Sequence, residues 1–189
     1  MYKLDHAIFK LINSGLASTT LDTIMLTLTA LGTGAAQMAI SLALITLGWY
    51  KNTPRPRQAG YAGIVACATA CLVIAICKSI WSRPRPILTL FDVRVVGDPL
   101  FTKSFPSGHT LTAWAVAVAC SAFVPKLRFV LFPLAVFIGI SRVYVGAHFP
   151  LDVIFGALIG AIVGKYCGHF ILRIKPNLPT ERSSNNDEA

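Results

Sequence analysis

The chain has 189 residues, a length that suits one domain. Its residues are 54% hydrophobic and only 13% charged, and the mean hydropathy of +0.64 excludes an ordinary soluble globular protein, in which about a quarter of the residues are charged. The net charge of +9 does not indicate nucleic-acid binding, because the basic residues cluster between apolar runs instead of forming one polar face.

The N-terminal segment predicts a helix that lies on a membrane surface. Over residues 4–14 the apolar residues recur at helical spacing, while Asp5 and its polar neighbours fall on other faces. The apolar run 21–32 is too short to span a bilayer alone, and it ends at a Gly-Thr-Gly break. We therefore interpret residues 1–34 as an interfacial or re-entrant segment, or as a partial span.

Five apolar segments that follow predict transmembrane helices. They cover residues 35–50, 59–80, 107–124, 128–145 and 150–171. The expected fold is all-α: a polytopic membrane helical bundle of five to six transmembrane helices with an N-terminal interfacial helix. We predict a membrane domain over 1–174, with its helical core at 35–172, and a disordered polar tail at 175–189.

The basic residues between the spans predict the topology. By the positive-inside rule, one group faces the cytoplasm: Lys51, Arg55, Arg57, Lys126, Arg128, Arg173, Lys175 and Arg182. The loop 81–106 and the turn 146–150 then face outward. Six cations on the outward side break the rule, and an anion-binding site would explain them: Lys78, Arg83, Arg85, Arg94, Lys103 and Arg142.

The first polar cluster is KSIWSRPRP, which closes the second span and contains Lys78 and Arg85. Cations at such positions can bind phosphate, but the long side chains of Lys and Arg near a helix end also commonly reach out to the lipid headgroups. This cluster is therefore ambiguous when it is considered alone.

The second cluster is PSGH, which places Ser107, Gly108 and His109 at the entrance of the third span. The first turn of a helix offers free backbone N–H groups and the positive end of the helix dipole, which together bind phosphate. Ordinary helix capping explains the same residues equally well.

The third cluster is SRVYVGAHFPLD, which joins the fourth span to the fifth. Arg142 ends one helix, and Pro150 suits the first position of the next, so that Asp152 falls in its first turn. His148 and Asp152 are four residues apart and can lie on one side of that helix entrance. The carboxylate can accept the proton of Nδ1 and leave Nε2 free as a base, nucleophile or metal ligand.

Counting the spans places all three clusters at the same membrane face, which independent capping and headgroup contacts would not explain. His109, His148 and Asp152 could bind Zn²⁺. Three cations beside them disfavour a dication by several kcal/mol each. The clusters therefore favour an anion, such as a phosphoryl group, and no metal.

Phosphate bound in this place gives each group a chemical role. His148, oriented by Asp152, can attack phosphorus and form a phosphohistidine, while His109 protonates the leaving oxygen and later activates water. Lys78, Arg85 and Arg142, with Arg83 as a candidate fourth cation, stabilise the charge on the equatorial oxygens, as do backbone N–H groups near Ser107 and Gly108.

The three clusters together resemble the signature of the type 2 phosphatidic acid phosphatase superfamily, the lipid phosphate phosphatases. That signature reads K-x6-R-P, P-S-G-H and S-R-x5-H-x3-D, and all eleven fixed positions match between Lys78 and Asp152. The resemblance implies an all-helical membrane fold and metal-independent hydrolysis without a cofactor. It also implies a set of phosphate ligands, namely Lys78, Arg85, Ser107, Gly108 and Arg142, with His109 as the acid, His148 as the nucleophile and Asp152 as its orienting partner.

The resemblance favours a lipid phosphatase of the cytoplasmic membrane with an outward-facing site, acting on a lipid phosphate monoester or diphosphate. Undecaprenyl diphosphate is favoured, and phosphatidylglycerophosphate, phosphatidic acid and lipid A phosphate are alternatives. A lipid phosphotransferase would use the same chemistry, and an anion carrier is the non-enzymatic alternative. The expected partners are the lipid substrate and the bilayer, without nucleic acid, and the sequence indicates no oligomeric state.

Overall fold

The computed structural model of the chain describes residues 2–174, and this part is built from helices and loops without a β-strand. Its seven α-helices are α1 (Tyr2–Asn13), α2 (Thr19–Leu31), α3 (Gly34–Tyr50), α4 (Pro54–Ile80), α5 (Gly108–Ser121), α6 (Arg128–Tyr144) and α7 (Pro150–Ile174). Short 3₁₀ turns lie at Pro86–Leu88 and Pro125–Leu127. Every predicted span therefore contains a helix, and the predicted all-α fold is confirmed.

The lengths of the helices decide which of them can cross a bilayer alone. Within residues 2–174, three helical segments are long and apolar enough: Pro54–Ile80, Pro125–Tyr144 and Pro150–Ile174. The pair α2 and α3 bends by 65° at the predicted Gly-Thr break and makes a fourth if it is one span. Helix α5 has 14 residues, about 21 Å, which is less than the roughly 30 Å of a hydrocarbon core. The count of five to six transmembrane helices stays a prediction.

Helix α5 lies at the centre of the bundle, against α4, α6 and α7. Its close contact with α7 depends on small residues. A Cβ atom added to Gly160 would lie 2.3 Å from the carbonyl oxygen of Leu111, and one added to Gly164 would lie 2.4 Å from that of Ala115. Helix α7 thus packs directly on the backbone of α5, as small residues allow in membrane proteins. This contact fixes the start of α7 beside the start of α5.

Helix α1 lies across the end of the bundle where α6 ends and α7 begins. Phe9 is buried against Val143 and Phe149, and the Asn13 side chain donates to the carbonyl oxygens of Arg94 and Tyr144 at 2.7 Å each. On the opposite face, Leu4, Leu11 and other apolar residues are exposed. The predicted helix is therefore present and amphipathic, and its place in the interface stays a prediction.

The predicted disordered tail, 175–189, lies outside the described residues. The domain boundary at 174 and the division between 1–34 and 35–172 therefore stay predictions.

Candidate active site

The three predicted clusters lie at one end of the bundle. Lys78 is in the last turn of α4, Gly108 begins α5, and Arg142 is in the last turn of α6. Asp152 is in the first turn of α7, and its carbonyl oxygen accepts the backbone N–H of Ser107 at 3.0 Å. That hydrogen bond joins the second and third clusters directly.

The charged side chains of the clusters interact with one another. A guanidinium nitrogen of Arg85 lies 3.5 Å from Nε2 of His148. Lys78 interacts electrostatically with both Arg85 and Arg142, and His109 interacts with all three cations and with His148. All five groups therefore lie close enough together to form one candidate site.

The three cations are held by neutral oxygen atoms. Arg85, 3% exposed, donates to the carbonyl oxygens of Thr102 and Ala147 at 2.9 and 2.8 Å. The Lys78 ammonium donates to the carbonyl oxygen of Lys103 at 3.2 Å. Within residues 2–174, none of Lys78, Arg85 and Arg142 forms a salt bridge with a carboxylate.

Arg142, the third cation, has a hydrogen-bond donor that is not satisfied. It is 5% exposed, and one of its terminal nitrogens donates to the Thr29 hydroxyl at 3.3 Å. Its Nε is buried and has no hydrogen-bond partner in the described part of the chain. Burying cations without a counter-charge is costly, so this arrangement favours the binding of an anion.

His148 is 2% exposed and lies between the cations and Asp152. Its Nδ1 is 3.7 Å from Oδ2 of Asp152, which is longer than a hydrogen bond. The Ser104 hydroxyl bridges the two, since it donates to the same Oδ2 at 2.6 Å and lies 3.4 Å from Nδ1. The spacing of four residues thus brings His148 and Asp152 face to face as predicted, and the hydrogen-bonded connection between them runs through Ser104 in this geometry.

The charge state of His148 suits a nucleophile. Burial lowers the pKa of His148 to about 4, Asp152 opposes this shift, and Arg85 and Arg142 add to it. The imidazole is therefore neutral near pH 7, and one ring nitrogen retains a lone pair. Nε2 faces the cations, where an anion would bind.

Arg83 does not face the cationic site. One of its terminal nitrogens donates to Oδ1 of Asp152 at 2.6 Å, and the other donates to Oδ2 of Asp5 at 2.5 Å. Its role as a fourth phosphate-binding cation, which the sequence left open, is thus not supported. Arg83 instead holds the carboxylate behind His148.

The entrance of α5 offers fewer free donors than expected. The N–H of Ser107 is already bonded to Asp152, and the Ser107 hydroxyl lies 2.9 Å from that of Thr110. Gly108 is in the first turn, where a backbone N–H has no partner within the helix. A Cβ added to Gly108 would make only ordinary contact with Ile74, at 3.5 Å, so packing alone does not require a glycine there.

Two cavities adjoin these residues. A smaller one of about 290 Å³ is lined by His109, Arg142, Thr29 and the 95–100 part of the loop. A larger, mostly apolar one of about 810 Å³ is lined by Trp81, Phe105, Phe149, Phe155, Ile159 and the Arg83 side chain. The larger cavity lies on the side where the end of α4 and the start of α7 face each other, and its lining includes Arg83 but not Lys78, Arg85, Arg142 or His148.

The sequence interpretation missed Ser104, Thr29 and Asp5, which all contact predicted site residues. The signals available were weak: a serine just before the PSGH motif and a carboxylate in an amphipathic helix. Among residues 2–174, no group of three or more His, Cys, Asp or Glu is placed to hold a metal ion.

Comparison with known proteins identifies the family. The model of the PAP2 superfamily matches residues 58–176. Undecaprenyl-diphosphatase BcrC of Bacillus subtilis is 29% identical over 92% of this chain and 87% of its own length. An undecaprenyl-diphosphatase of Sulfolobus acidocaldarius is 30% identical over 82% of this chain and 72% of its own length.

A solved structure shares the fold. The transmembrane PAP2-type phosphatidylglycerolphosphate phosphatase from Bacillus subtilis superposes with a TM-score of 0.76 and 25% identity, over 92% of this chain and 87% of that chain. Its likeness extends beyond the matched family segment to nearly the whole bundle. The chain therefore belongs to the PAP2 superfamily and is a multi-pass membrane lipid phosphatase.

Proposed function

We propose that the chain hydrolyses a lipid diphosphate, with undecaprenyl diphosphate favoured, through a phosphohistidine formed on His148. The observation that supports this most is a set of three cations beside a neutral imidazole, Lys78, Arg85 and Arg142, none of which forms a salt bridge with a carboxylate among residues 2–174. A phosphoryl group supplies the missing negative charge, and its oxygens match the guanidinium donors.

The reaction has two steps. Nε2 of His148 attacks phosphorus, so that an N–P bond forms while the P–O bond to the leaving group breaks. His109, held in its protonated form by the negative charge of the bound substrate, donates that proton to the leaving oxygen. His109 then takes a proton from water, whose oxygen attacks phosphorus and breaks the N–P bond. The cations and the backbone N–H of Gly108 stabilise the charge that develops on the equatorial oxygens. The Ser107 hydroxyl is a further ligand in this proposal.

The larger cavity supports a lipid as the substrate. Its lining is mostly apolar, and Trp81, Phe105 and Phe155 form a continuous series of ring contacts in it. A hydrocarbon chain bound there would place its phosphate near the site end of the bundle. Phe91 and Phe101, the other aromatic residues of the 82–106 loop, are exposed.

We favour undecaprenyl diphosphate because two relatives with that activity match most of the chain. A phosphatidylglycerophosphate, phosphatidic acid or lipid A phosphate would bind the same cations. A phosphotransferase would pass the phosphoryl group to a lipid acceptor instead of water. An anion carrier would need no nucleophile, and it leaves the His148–Ser104–Asp152 arrangement without a purpose.

We also propose that the site faces outward from the cytoplasmic membrane. The site residues share one end of the bundle, and the opposite end carries Lys51, Arg55 and Arg57 near one helix boundary and Lys126 and Arg128 near another. By the positive-inside rule that opposite end is cytoplasmic.

The experiment that tests the proposed function is hydrolysis of a lipid panel in EDTA. Purified protein in detergent is offered undecaprenyl diphosphate, phosphatidylglycerophosphate, phosphatidic acid and lipid A, and release of inorganic phosphate is measured. We expect release without added divalent ions, fastest from undecaprenyl diphosphate. Strict dependence on a divalent ion, or transfer of label to a lipid without phosphate release, would contradict the proposal.

The apolar cavity yields a second test. Ile159→Trp replaces an aliphatic side chain of the cavity wall with a bulkier indole ring. If the ring displaces about two methylene groups of the bound lipid, at about 0.8 kcal/mol each, KM for undecaprenyl diphosphate should rise roughly tenfold. A short water-soluble phosphate ester should be unaffected. Leu158→Trp, on the neighbouring exposed position of α7, is the matched control. Equal KM changes for both substrates would show that the hydrocarbon chain of the lipid binds outside this cavity.

A further inference from the structure

A line of ion pairs connects α1 to the centre of the site. Asp5 Oδ2 pairs with Arg83 at 2.5 Å, and Arg83 pairs with Oδ1 of Asp152 at 2.6 Å. The other oxygen of Asp5 accepts the backbone N–H of Leu151, the residue before Asp152, at 2.9 Å. Asp5 therefore contacts both the partner of Asp152 and the backbone beside it.

This arrangement assigns different partners to the two oxygens of Asp152. Arg83 contacts Oδ1, whereas Oδ2 accepts the Ser104 hydroxyl and the backbone N–H of Phe149. Only Oδ2 faces His148. The orientation of the carboxylate toward the imidazole thus depends on Arg83, and the fork of Arg83 is held in turn by Asp5.

Attachment of α1 does not require a buried carboxylate. Phe9 and Asn13 already anchor the helix, through apolar packing and through hydrogen bonds to the Arg94 and Tyr144 carbonyl oxygens. Asp5 is 3% exposed, and burying a carboxylate is unfavourable unless the group is fully paired. Its two contacts are both directed at the immediate surroundings of Asp152.

We propose that Asp5 is a positioning residue of the active site, acting through Arg83 on Asp152 and hence on His148. This inference rests on the proposed function, because it assigns Asp5 to the nucleophile of that reaction. Helix α1 lies outside the segment that the family model covers, which begins at residue 58. The N-terminal helix α1 then contributes a positioning residue to the active site.

The test compares Asp5→Asn with Asp22→Asn. Asp22 also pairs with an arginine of the loop, Arg94, and with the Tyr144 hydroxyl, so its change removes a similar ion pair from the N-terminal region without affecting Asp152. We expect Asp5→Asn to lower kcat for undecaprenyl diphosphate by about 10- to 100-fold, as loss of supporting contacts does at other sites. KM should stay within about twofold, because the cations that bind phosphate are unchanged. Asp22→Asn should retain the kcat of the wild type.

Two further variants complete the test. Asp5→Glu keeps the carboxylate and should recover most of the lost kcat. Arg83→Lys keeps the charge but lacks the planar fork that bridges two carboxylates, so it should lower kcat as Asp5→Asn does. If Asp5→Asn does not fold, Arg83→Lys provides the test in its place. The melting temperature of each variant in detergent is measured alongside.

The possible outcomes separate this inference from the proposed function. Wild-type kcat in Asp5→Asn or in Arg83→Lys would overturn the inference while lipid hydrolysis stands. Equal losses in Asp5→Asn and Asp22→Asn would overturn it too, since they would indicate only that the N-terminal helices must be attached. If the wild-type protein hydrolyses no lipid phosphate, the proposed function fails, and this inference fails with it.

Discussion

His148→Ala should abolish turnover of undecaprenyl diphosphate. The variant has no nucleophile to form the N–P bond, and water cannot replace it in the same position without an oriented base. We expect kcat to fall by at least about 10⁴-fold, as deletion of a covalent nucleophile does in other enzymes. The measurement is phosphate release from the lipid by purified protein of unchanged melting temperature.

His169→Ala is the matched control for this variant. His169 lies on the same helix as Asp152, toward its far end, and is exposed with a contact only to the Lys165 carbonyl oxygen among the described residues. The His169→Ala variant should hydrolyse the lipid at the wild-type rate. Turnover by His148→Ala within tenfold of the wild type would end the covalent scheme, and lipid binding without turnover in the wild type would favour the carrier.

Arg142→Lys should lower kcat/KM by about 100- to 1000-fold, comparable to the loss of one donor that stabilises developing charge in other active sites. Lysine keeps the positive charge, but it loses the planar fork that contacts two phosphate oxygens. It also removes the buried Nε that has no partner among the described residues, which we expect to bind the substrate. Steady-state kinetics on undecaprenyl diphosphate measure the change.

Arg128→Lys makes the same chemical substitution at the other end of α6, where the side chain lies over the Phe129 ring and outside the site. It should leave kcat/KM unchanged. Near-normal kinetics for Arg142→Lys would mean that Arg142 does not bind the phosphate directly, and Lys78 and Arg85 would then have to supply the charge.

The sequence was sufficient to predict the helices because long apolar runs must form helices in a bilayer, where backbone groups have no other partners. The start of α3 illustrates this: Thr33 caps it at the predicted break, and its hydroxyl accepts the N–H of Ala36. The length of α5 was harder to predict. The predicted segment 107–124 ends in a turn around Phe123, so that the helix stops at Ser121.

The composition of the site was predictable where residues share a local spacing. His148 and Asp152 lie on one helix entrance, and Arg85 follows Lys78, in the last turn of α4, by seven residues. Contacts across long separations were not predictable. Asp5 meets residues 83 and 151 because α1 folds across the bundle end, and no periodicity in the chain relates these positions.

Two details of hydrogen bonding also depend on tertiary structure. Ser104 lies between Asp152 and His148 because the loop backbone is fixed at that point: the N–H of Ser104 donates to the carbonyl oxygen of Arg83 at 2.8 Å. The Ser107 N–H is occupied because Gly160 and Gly164 let α7 approach α5 closely. Neither partner could be identified from the motifs.

The most direct test of the phosphoryl-transfer site is an experimental structure of the protein with orthovanadate, which mimics a phosphoryl group during transfer. Vanadium should be bonded to Nε2 of His148, with its oxygens in contact with Lys78, Arg85 and Arg142. An anion bound away from His148, or contacted by none of the three cations, would contradict the claim that these distant stretches of the chain form one phosphoryl-transfer site.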